Sequence, residues 1–203
     1  MKKLTAKIVM DAMKKLGHKV FSTGDYNLNL IGVRSQDKEN NTFNDVMCCL
    51  FKDAGQWVLL QFSCTTDPGL FYLKEPLNVS GCAIVKPGQY PGMWKLGLHR
   101  NTYRALVQRG KVAVYRDNNG DGVLDFENEE TGLFGINLHR ATQKGESQRV
   151  HKWSAGCQVT ASSFDYHILM ALCEKSAQEY GDSFTYTLIT EADLKDKDLK
   201  EKS

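Results

Sequence analysis

Residues 46–62, VMCCLFKDAGQWVLLQF, decide the fold class of this 203-residue chain. Two apolar runs, residues 46–51 and 57–62, flank a short polar segment that contains Asp53 and Gly55. Aspartate and glycine favour tight turns, and short apolar runs on both sides of such a turn are typical of paired strands. The stretch therefore predicts a β-hairpin inside a β-rich domain.

The pattern on both sides of the hairpin extends this prediction. Further strands are expected at residues 28–33, 70–73, 82–85, 105–108, 111–115, 134–139 and 184–189. Helical spacing of apolar residues occurs in residues 4–16 and 164–180, each followed by a glycine that can end a helix. We therefore predict a mostly β (β-rich α+β) fold, a β-sandwich or barrel with two flanking helices.

The same pattern suggests the organisation of the chain. An N-terminal helix in residues 1–20 is expected to pack on a domain formed by residues 21–190. Residues 191–203, EADLKDKDLKEKS, lack an apolar stripe of useful width and are expected to form a charged flexible tail.

Composition narrows the class of protein. The chain carries 26 basic and 24 acidic side chains, so nucleic acid is not an expected partner. No run of 18 apolar residues is present, so membrane insertion is not expected. The N-terminus does not match a signal peptide, which predicts synthesis in the cytoplasm without export by that route. The six cysteines have irregular spacing, so neither disulfides nor a zinc ribbon is expected, and no feature sets an oligomeric state.

Two segments carry residues typical of a cysteine enzyme. Residues 134–140, FGINLHR, predict a strand that ends near His139, and residues 153–159, WSAGCQV, place Cys157 directly after Gly156. A nucleophilic cysteine needs a base and N–H donors for the oxyanion. We expect His139 to favour the thiolate of Cys157, and the N–H groups of Gly156 and Cys157 to be the donors. A single cysteine or histidine is more often a packed structural residue than a catalytic one, and the residues alone leave that interpretation open.

The spacing of these residues resembles the signature of the L,D-transpeptidase catalytic domain family, also called YkuD-type. That family has a histidine at a strand end, a loop of some fifteen residues, and then Ser/Thr-His-Gly-Cys. Here His139 precedes Ser154 by 15 residues and Cys157 by 18. Two upstream blocks also resemble the family, residues 62–69 (FSCTTDPG) and residues 84–90 (IVKPGQY).

The resemblance implies a cysteine-dependent acyl transfer or hydrolysis on peptidoglycan stem peptides through a Cys157 thioester. The reaction would be that of an L,D-transpeptidase, an L,D-carboxypeptidase or an endopeptidase, with no cofactor required. His139, Gly156 and Cys157 would form the catalytic centre, with Ser154 shaping the loop. Action at the cell wall would suit a phage-encoded lysis protein, a secreted effector, or a chain whose signal has been removed.

Three departures from the family pattern favour other functions. Ala155 stands where the family has histidine, Arg140 where it has glycine, and Val159 where it has arginine or asparagine. A catalytically inactive module that binds wall peptide is therefore an alternative, as is a cysteine hydrolase of another peptide or amide.

Further residues are candidates for binding the substrate. The Arg140 guanidinium has the geometry to meet a substrate carboxylate. Gln158 is a second polar candidate beside the cysteine. Three residues of the segment 87–100 are candidates to wall the groove, although packing in the core or on the surface is their more frequent role: Tyr90, Trp94 and His99.

Residues 117–125, DNNGDGVLD, form a separate candidate site. The oxygen-bearing residues at its positions 1, 3, 5 and 9 are Asp117, Asn119, Asp121 and Asp125. With Gly122 at position 6, the segment resembles an EF-hand-type calcium loop, although position 12 is Asn128 rather than glutamate. Asn-Gly and Asp-Gly pairs also favour a plain hairpin. A structural Ca²⁺ site and a plain hairpin both stay open.

Overall fold

A computed structural model describes residues 4–37 and 39–194, and this part of the chain forms a closed eight-stranded barrel with an adjoining three-stranded sheet. The strands are β1 (Asn29–Arg34), β2 (Asp45–Asp53), β3 (Gln56–Thr65), β4 (Cys82–Val85), β5 (Gly88–His99), β6 (Tyr103–Gln108), β7 (Val112–Asp117), β8 (Glu130–Gly132), β9 (Leu138–Arg140), β10 (Gln158–Thr160) and β11 (Phe184–Thr190). The helices are α1 (Ala6–Lys15), α2 (Leu70–Lys74) and α3 (Ser163–Tyr180). The barrel order is β1-β11-β5-β6-β9-β10-β3-β2, and the second sheet is β4-β7-β8. The predicted mostly β class is confirmed.

The predicted central hairpin is β2–β3, which pairs antiparallel from Asp45 opposite Cys64 to Asp53 opposite Gln56. Strand β2 is apolar on both faces because both faces are covered. Cys49 packs into the barrel core, and its neighbour Cys48 packs with residues of α1. The adjacent cysteines therefore serve as small apolar side chains on opposite faces of one strand.

Helix α1 lies against the outside of the barrel. Thr5 caps it, with Oγ1 accepting a hydrogen bond from the Ile8 N–H at 3.3 Å. The buried residues of α1 are Val9, Ala12 and Met13. Ile8 and Leu16 are more than a third exposed, so the buried face is rotated from the one that spacing alone predicts.

Several segments differ from the predicted secondary structure. Residues 70–73, predicted as a strand, belong to the short helix α2, because an apolar run of four residues fits either structure. Of the strand predicted over residues 134–139, only Leu138 and His139 belong to β9. No strand was predicted over residues 88–99, which form the long strand β5; its Gly92, at φ 59°, lies at an irregularity in the pairing with β11.

The C-terminal boundary is also later than expected. Residues 191–194 form a 3₁₀ turn in contact with α1, and Asp193 accepts hydrogen bonds from the N–H and hydroxyl of Thr190 at 2.8 and 2.7 Å. The remainder of the expected tail, residues 195–203, lies outside the described residues. None of the described helices combines the length and apolarity needed to cross a bilayer.

The pairing of β9 with β10 positions the candidate site. The two strands are parallel, with Leu138 opposite Gln158 and His139 opposite Val159. Cys157 comes directly before β10, so the topology brings it to the strand that carries His139.

Candidate active site

Cys157 is the one cysteine of the six that is not buried, and all six are free thiols. Its sulfur accepts a hydrogen bond from the Asn137 N–H at 3.4 Å, and its thiol donates to the Gly135 carbonyl at 3.6 Å. Both partners immediately precede β9. The sulfur is therefore held against the backbone that leads to His139, while none of its hydrogen bonds is made to the imidazole itself.

The loop before Cys157 is fixed by Ser154 and Gly156. The buried Ser154 hydroxyl accepts from the Gly156 N–H at 3.1 Å and donates to the Cys157 carbonyl at 2.8 Å. Gly156 has a φ of 131°, and a Cβ atom there would lie 2.3 Å from the Ala83 carbonyl oxygen. Only glycine fits this position.

These contacts change the expected oxyanion donors. The Gly156 N–H is engaged by Ser154 inside the loop, so it is not the donor that the sequence suggested. The Cys157 N–H makes no hydrogen bond within the described part of the chain. Of the two donors expected from the sequence, the Cys157 N–H therefore remains for a developing oxyanion.

The tautomer of His139 follows from its hydrogen bonds. Nδ1 lies 2.9 Å from the Arg140 carbonyl oxygen, which only accepts, so Nδ1 carries the proton. The Tyr103 hydroxyl, 3.4 Å from Nδ1, donates to the same carbonyl. The lone pair is therefore on Nε2, the nitrogen that a general base needs free.

A second imidazole stacks on the first. The rings of His99 and His139 have centroids 4.0 Å apart and an interplanar angle of 28°. The Gln108 N–H donates to Oδ1 of Asn137 at 2.9 Å, so the Asn137 amide turns its Nδ2 towards His99 Nδ1, at 3.2 Å. Because Asn137 also donates its backbone N–H to Cys157, it links the thiol to His99 and, through the ring stack, to His139. No sequence pattern pointed to this role of Asn137.

Burial keeps both groups of the candidate pair neutral. Burial is the main reason that the pKa of His139 is lowered to about 3, and the charge of His99 is the second. The hydrogen bond to the Arg140 carbonyl acts in the opposite direction and raises the pKa. Burial also raises the pKa of the Cys157 thiol, opposed by the Asn137 N–H and by the charge of Arg100. This environment therefore disfavours the thiolate that His139 was expected to favour. The arrangement favours a neutral thiol beside a neutral base.

The lowered pKa of His139 predicts a specific acid sensitivity. The unfolded chain binds a proton at His139 near pH 6.5, whereas the folded chain resists protonation down to about pH 3. Because protonation then favours the unfolded chain, the free energy of unfolding decreases as the pH falls through that window. The upper bound of this decrease is about 5 kcal/mol. In urea unfolding from pH 7.5 to 4.5, we expect the stability difference between wild type and His139→Asn to narrow as the pH falls. The exposed His167→Asn is the control, and a pH-independent difference for His139→Asn would contradict the assignment.

A cleft with a volume of about 640 Å³ opens beside the imidazoles. Its lining residues are Phe71, Tyr72, His99, Arg100, Thr102, Tyr103, His139, His151, Lys152 and Trp153. They come from α2, the β5–β6 turn, β9 and the segment before Cys157. The cleft therefore combines aromatic walls with two cations, Arg100 and Lys152.

A second cavity of about 390 Å³ borders the cysteine loop at Ala155. Its other lining residues include Leu133 and Phe134, which precede the Gly135 carbonyl that contacts the sulfur, and the charged pair Arg116 and Glu130. Residues around Cys157 thus contribute to two separate cavities.

Three of the expected substrate-binding residues are not available to a ligand. Trp94 is fully buried, and its Nε1 donates to the Ile136 carbonyl at 2.9 Å. Gln158 is also fully buried, and its Oε1 accepts from the Tyr186 hydroxyl at 2.6 Å. The Tyr90 hydroxyl donates to the Lys86 carbonyl at 2.5 Å, and its ring packs against the core. Those predictions are wrong because each polar group is used inside the fold.

The other two substrate-binding candidates lie at the cleft or next to it. His99 lines the cleft, as described above. Arg140 is half-buried and stacks its guanidinium over the Tyr103 ring, 4.2 Å from the centroid. Because Tyr103 lines the cleft, Arg140 borders it through that ring.

The two upstream blocks quoted from the sequence meet the cysteine loop. Gly69 donates its N–H to the Ser154 carbonyl at 2.9 Å. The buried Arg34 donates to the carbonyls of Thr66 and Val85 at 3.2 and 2.9 Å, joining residues 62–69 to residues 84–90. Residues 62–69 therefore contact the cysteine loop directly, and residues 84–90 are joined to them through Arg34.

The acidic loop lies apart from these residues, between β7 and β8. Those strands form the antiparallel hairpin that one interpretation expected, joined by a long loop rather than a tight turn. Across residues 4–37 and 39–194, no group of three or more His, Cys, Asp or Glu side chains is arranged to hold a metal ion.

Comparison of the chain with known protein families, curated proteins and solved structures finds no match in any of the three.

Proposed function

We propose that this protein is an L,D-transpeptidase-like cysteine enzyme that acts on peptidoglycan stem peptides. The single observation that carries the proposal is the contact of His139 Nδ1 with the Arg140 carbonyl. The hydrogen bond donated by Nδ1 leaves Nε2 as the free nitrogen of an imidazole that lines an open cleft, on the strand beside the one accessible cysteine.

The chemistry follows from a neutral pair. The Cys157 thiol turns from the Gly135 carbonyl towards His139, and its proton passes to Nε2 as the sulfur attacks the substrate carbonyl. The Cys157 N–H stabilises the oxyanion. When the C–N bond breaks, the imidazolium returns the proton to the leaving amine, and a thioester remains on Cys157. An amine of a second stem, or water, then cleaves the thioester.

The lining of the cleft supports a peptide that carries carboxylates. Arg100 and Lys152 supply positive charge, and Lys152 lies 3.9 Å from the centroid of the Phe71 ring. Stem peptides carry free carboxylates, which charge-assisted hydrogen bonds to such groups recognise. The wall peptide as substrate class rests on the motif resemblance together with this lining.

Incubation of the protein with disaccharide-tetrapeptides, followed by mass spectrometry, tests the proposal. A cross-linked dimer would identify a transpeptidase, the loss of a terminal D-amino acid a carboxypeptidase, and a cleaved stem an endopeptidase. One of these products is expected. The Cys157→Ser variant is the control. Unchanged substrate after prolonged incubation with wild type would contradict a wall enzyme.

One observation favours a second function, a wall-peptide-binding module without catalysis. Both hydrogen bonds of the Cys157 sulfur are made to backbone groups, and Ala155 replaces the motif histidine. For such a module, calorimetry would detect binding of the disaccharide-tetrapeptide with no change in its mass.

A further inference from the structure

The loop after β7 gathers oxygen-bearing side chains around one point. The Asn119 amide Nδ2 donates to Asp121 Oδ2 at 3.1 Å and to Asp125 Oδ2 at 2.7 Å. The Asp125 N–H donates to Asp117 Oδ2 at 3.1 Å. Gly122, at φ 82°, makes the turn that folds Asp125 back towards Asp117. Residues at positions 1, 3, 5 and 9 of the segment are thus neighbours in space.

Asp117 supplies an independent indication of a ligand. The residue is 1% exposed, and its Oδ1 atom has no hydrogen-bond partner among the described residues. A buried carboxylate oxygen without a partner is costly, since it has lost its hydration and gained nothing in return. The other oxygen of the same carboxylate, Oδ2, accepts the hydrogen bond from the Asp125 N–H, so the unpartnered oxygen belongs to this cluster.

Within the described ranges, Asp117, Asp121 and Asp125 form no ion pair with lysine, arginine or histidine. The Asn119 amide group lies between two of these carboxylates and donates to both.

We propose that residues 117–125 bind a Ca²⁺ ion. Its side-chain ligands would be Asp117, Asn119, Asp121 and Asp125. The ion would take the place of the Asn119 amide hydrogens, after that side chain turns to present its oxygen. Carboxylate and carbonyl oxygens in a flexible loop suit Ca²⁺, whereas Mg²⁺ requires a near-ideal octahedron.

The position of the loop gives the ion a structural role. Asn40 donates its side-chain N–H to the Gly122 carbonyl, and the Cα of Gly122 lies against the side chains of Leu70 and Lys74 in α2. The same helix contributes Phe71 and Tyr72 to the cleft. Bound Ca²⁺ would therefore stabilise the loop on which one wall of the cleft rests.

Thermal unfolding and calorimetry of the EDTA-treated full chain, titrated with CaCl₂ and separately with MgCl₂, test this proposal. We expect Ca²⁺ to raise the melting temperature and to bind with a Kd of about 1 mM or tighter. Asp121 is exposed and Asp125 is partly buried. The substitutions Asp121→Asn and Asp125→Asn should each weaken Ca²⁺ binding at least about tenfold. Asp53→Asn, in the exposed β2–β3 turn, is the matched control and should bind as wild type does.

Three outcomes would overturn the calcium site. The first is that CaCl₂ at a few times about 1 mM neither shifts the melting temperature nor produces a heat of binding. The second is that MgCl₂ produces the same response as CaCl₂. The third is that Asp53→Asn loses as much Ca²⁺ binding as Asp121→Asn and Asp125→Asn. All of these measurements are made without substrate, so they are independent of the catalytic proposal.

Discussion

Replacing Cys157 by alanine is expected to reduce product formation from disaccharide-tetrapeptides by at least about 10⁴-fold, because the substitution removes the atom that forms the thioester. His139→Asn is expected to reduce it by about 10²–10⁴-fold. Asparagine retains a side-chain N–H that can donate to the Arg140 carbonyl, but it lacks the Nε2 lone pair. The double variant should be no slower than Cys157→Ala alone, since the two residues act in one step.

The design separates loss of chemistry from loss of fold. His167→Asn replaces an exposed histidine on α3 and should leave the rate unchanged. Circular dichroism and urea unfolding at pH 7.5 check that the variants are folded. Cys157→Ala retaining more than about a tenth of the wild-type rate would show that the thiol is not the nucleophile.

Gly156→Ala is expected to destabilise the protein by about 2–4 kcal/mol and to abolish turnover. Its φ of 131° is unfavourable for alanine, and the new Cβ would lie 2.3 Å from a backbone oxygen that cannot rotate away. The loop has to shift, which moves Cys157 from the Asn137 N–H. Urea unfolding and the product assay measure the two effects.

Gly145→Ala is the matched control. Gly145 also has a positive φ, 73°, but nothing lies within 4 Å of a Cβ atom there. We expect it to cost only about 1 kcal/mol and to leave turnover intact. Equal destabilisation by both substitutions would show that backbone strain alone, rather than the contact with Ala83, makes Gly156 necessary.

Parts of the fold could be predicted from the sequence because the signal is local. The β2–β3 hairpin is determined by two apolar runs around Asp53 and Gly55, and α3 by its spacing and Gly181, which ends the helix at φ 84°. Strand β5 escaped the prediction because its glycines and Pro91 are turn formers locally, while its pairing with β6 and β11 is decided over longer range.

The candidate site was predictable only in its motif residues. Ser154 and Gly156 occupy positions that their residue types make recognisable. Trp94 and Gln158 were wrongly assigned to substrate binding because their hydrogen-bond partners, Ile136 and Tyr186, are distant in sequence. Arg100 is a cleft residue that the sequence analysis missed. It lies in the β5–β6 turn, where Arg100 and Asn101 both have positive φ, beside the paired residues His99 and Tyr103 that also line the cleft.

The sequence by itself determined the β-rich class, the central hairpin and the motif of small residues before Cys157. The tertiary structure alone decided that the imidazole of His139 is buried and neutral, that His99 stacks on it, and that Asn137 joins them to the thiol. The physical reason is the range of the interactions. Turn and strand preferences act between neighbours along the chain, whereas burial and hydrogen bonding depend on strands that only the closed barrel brings together.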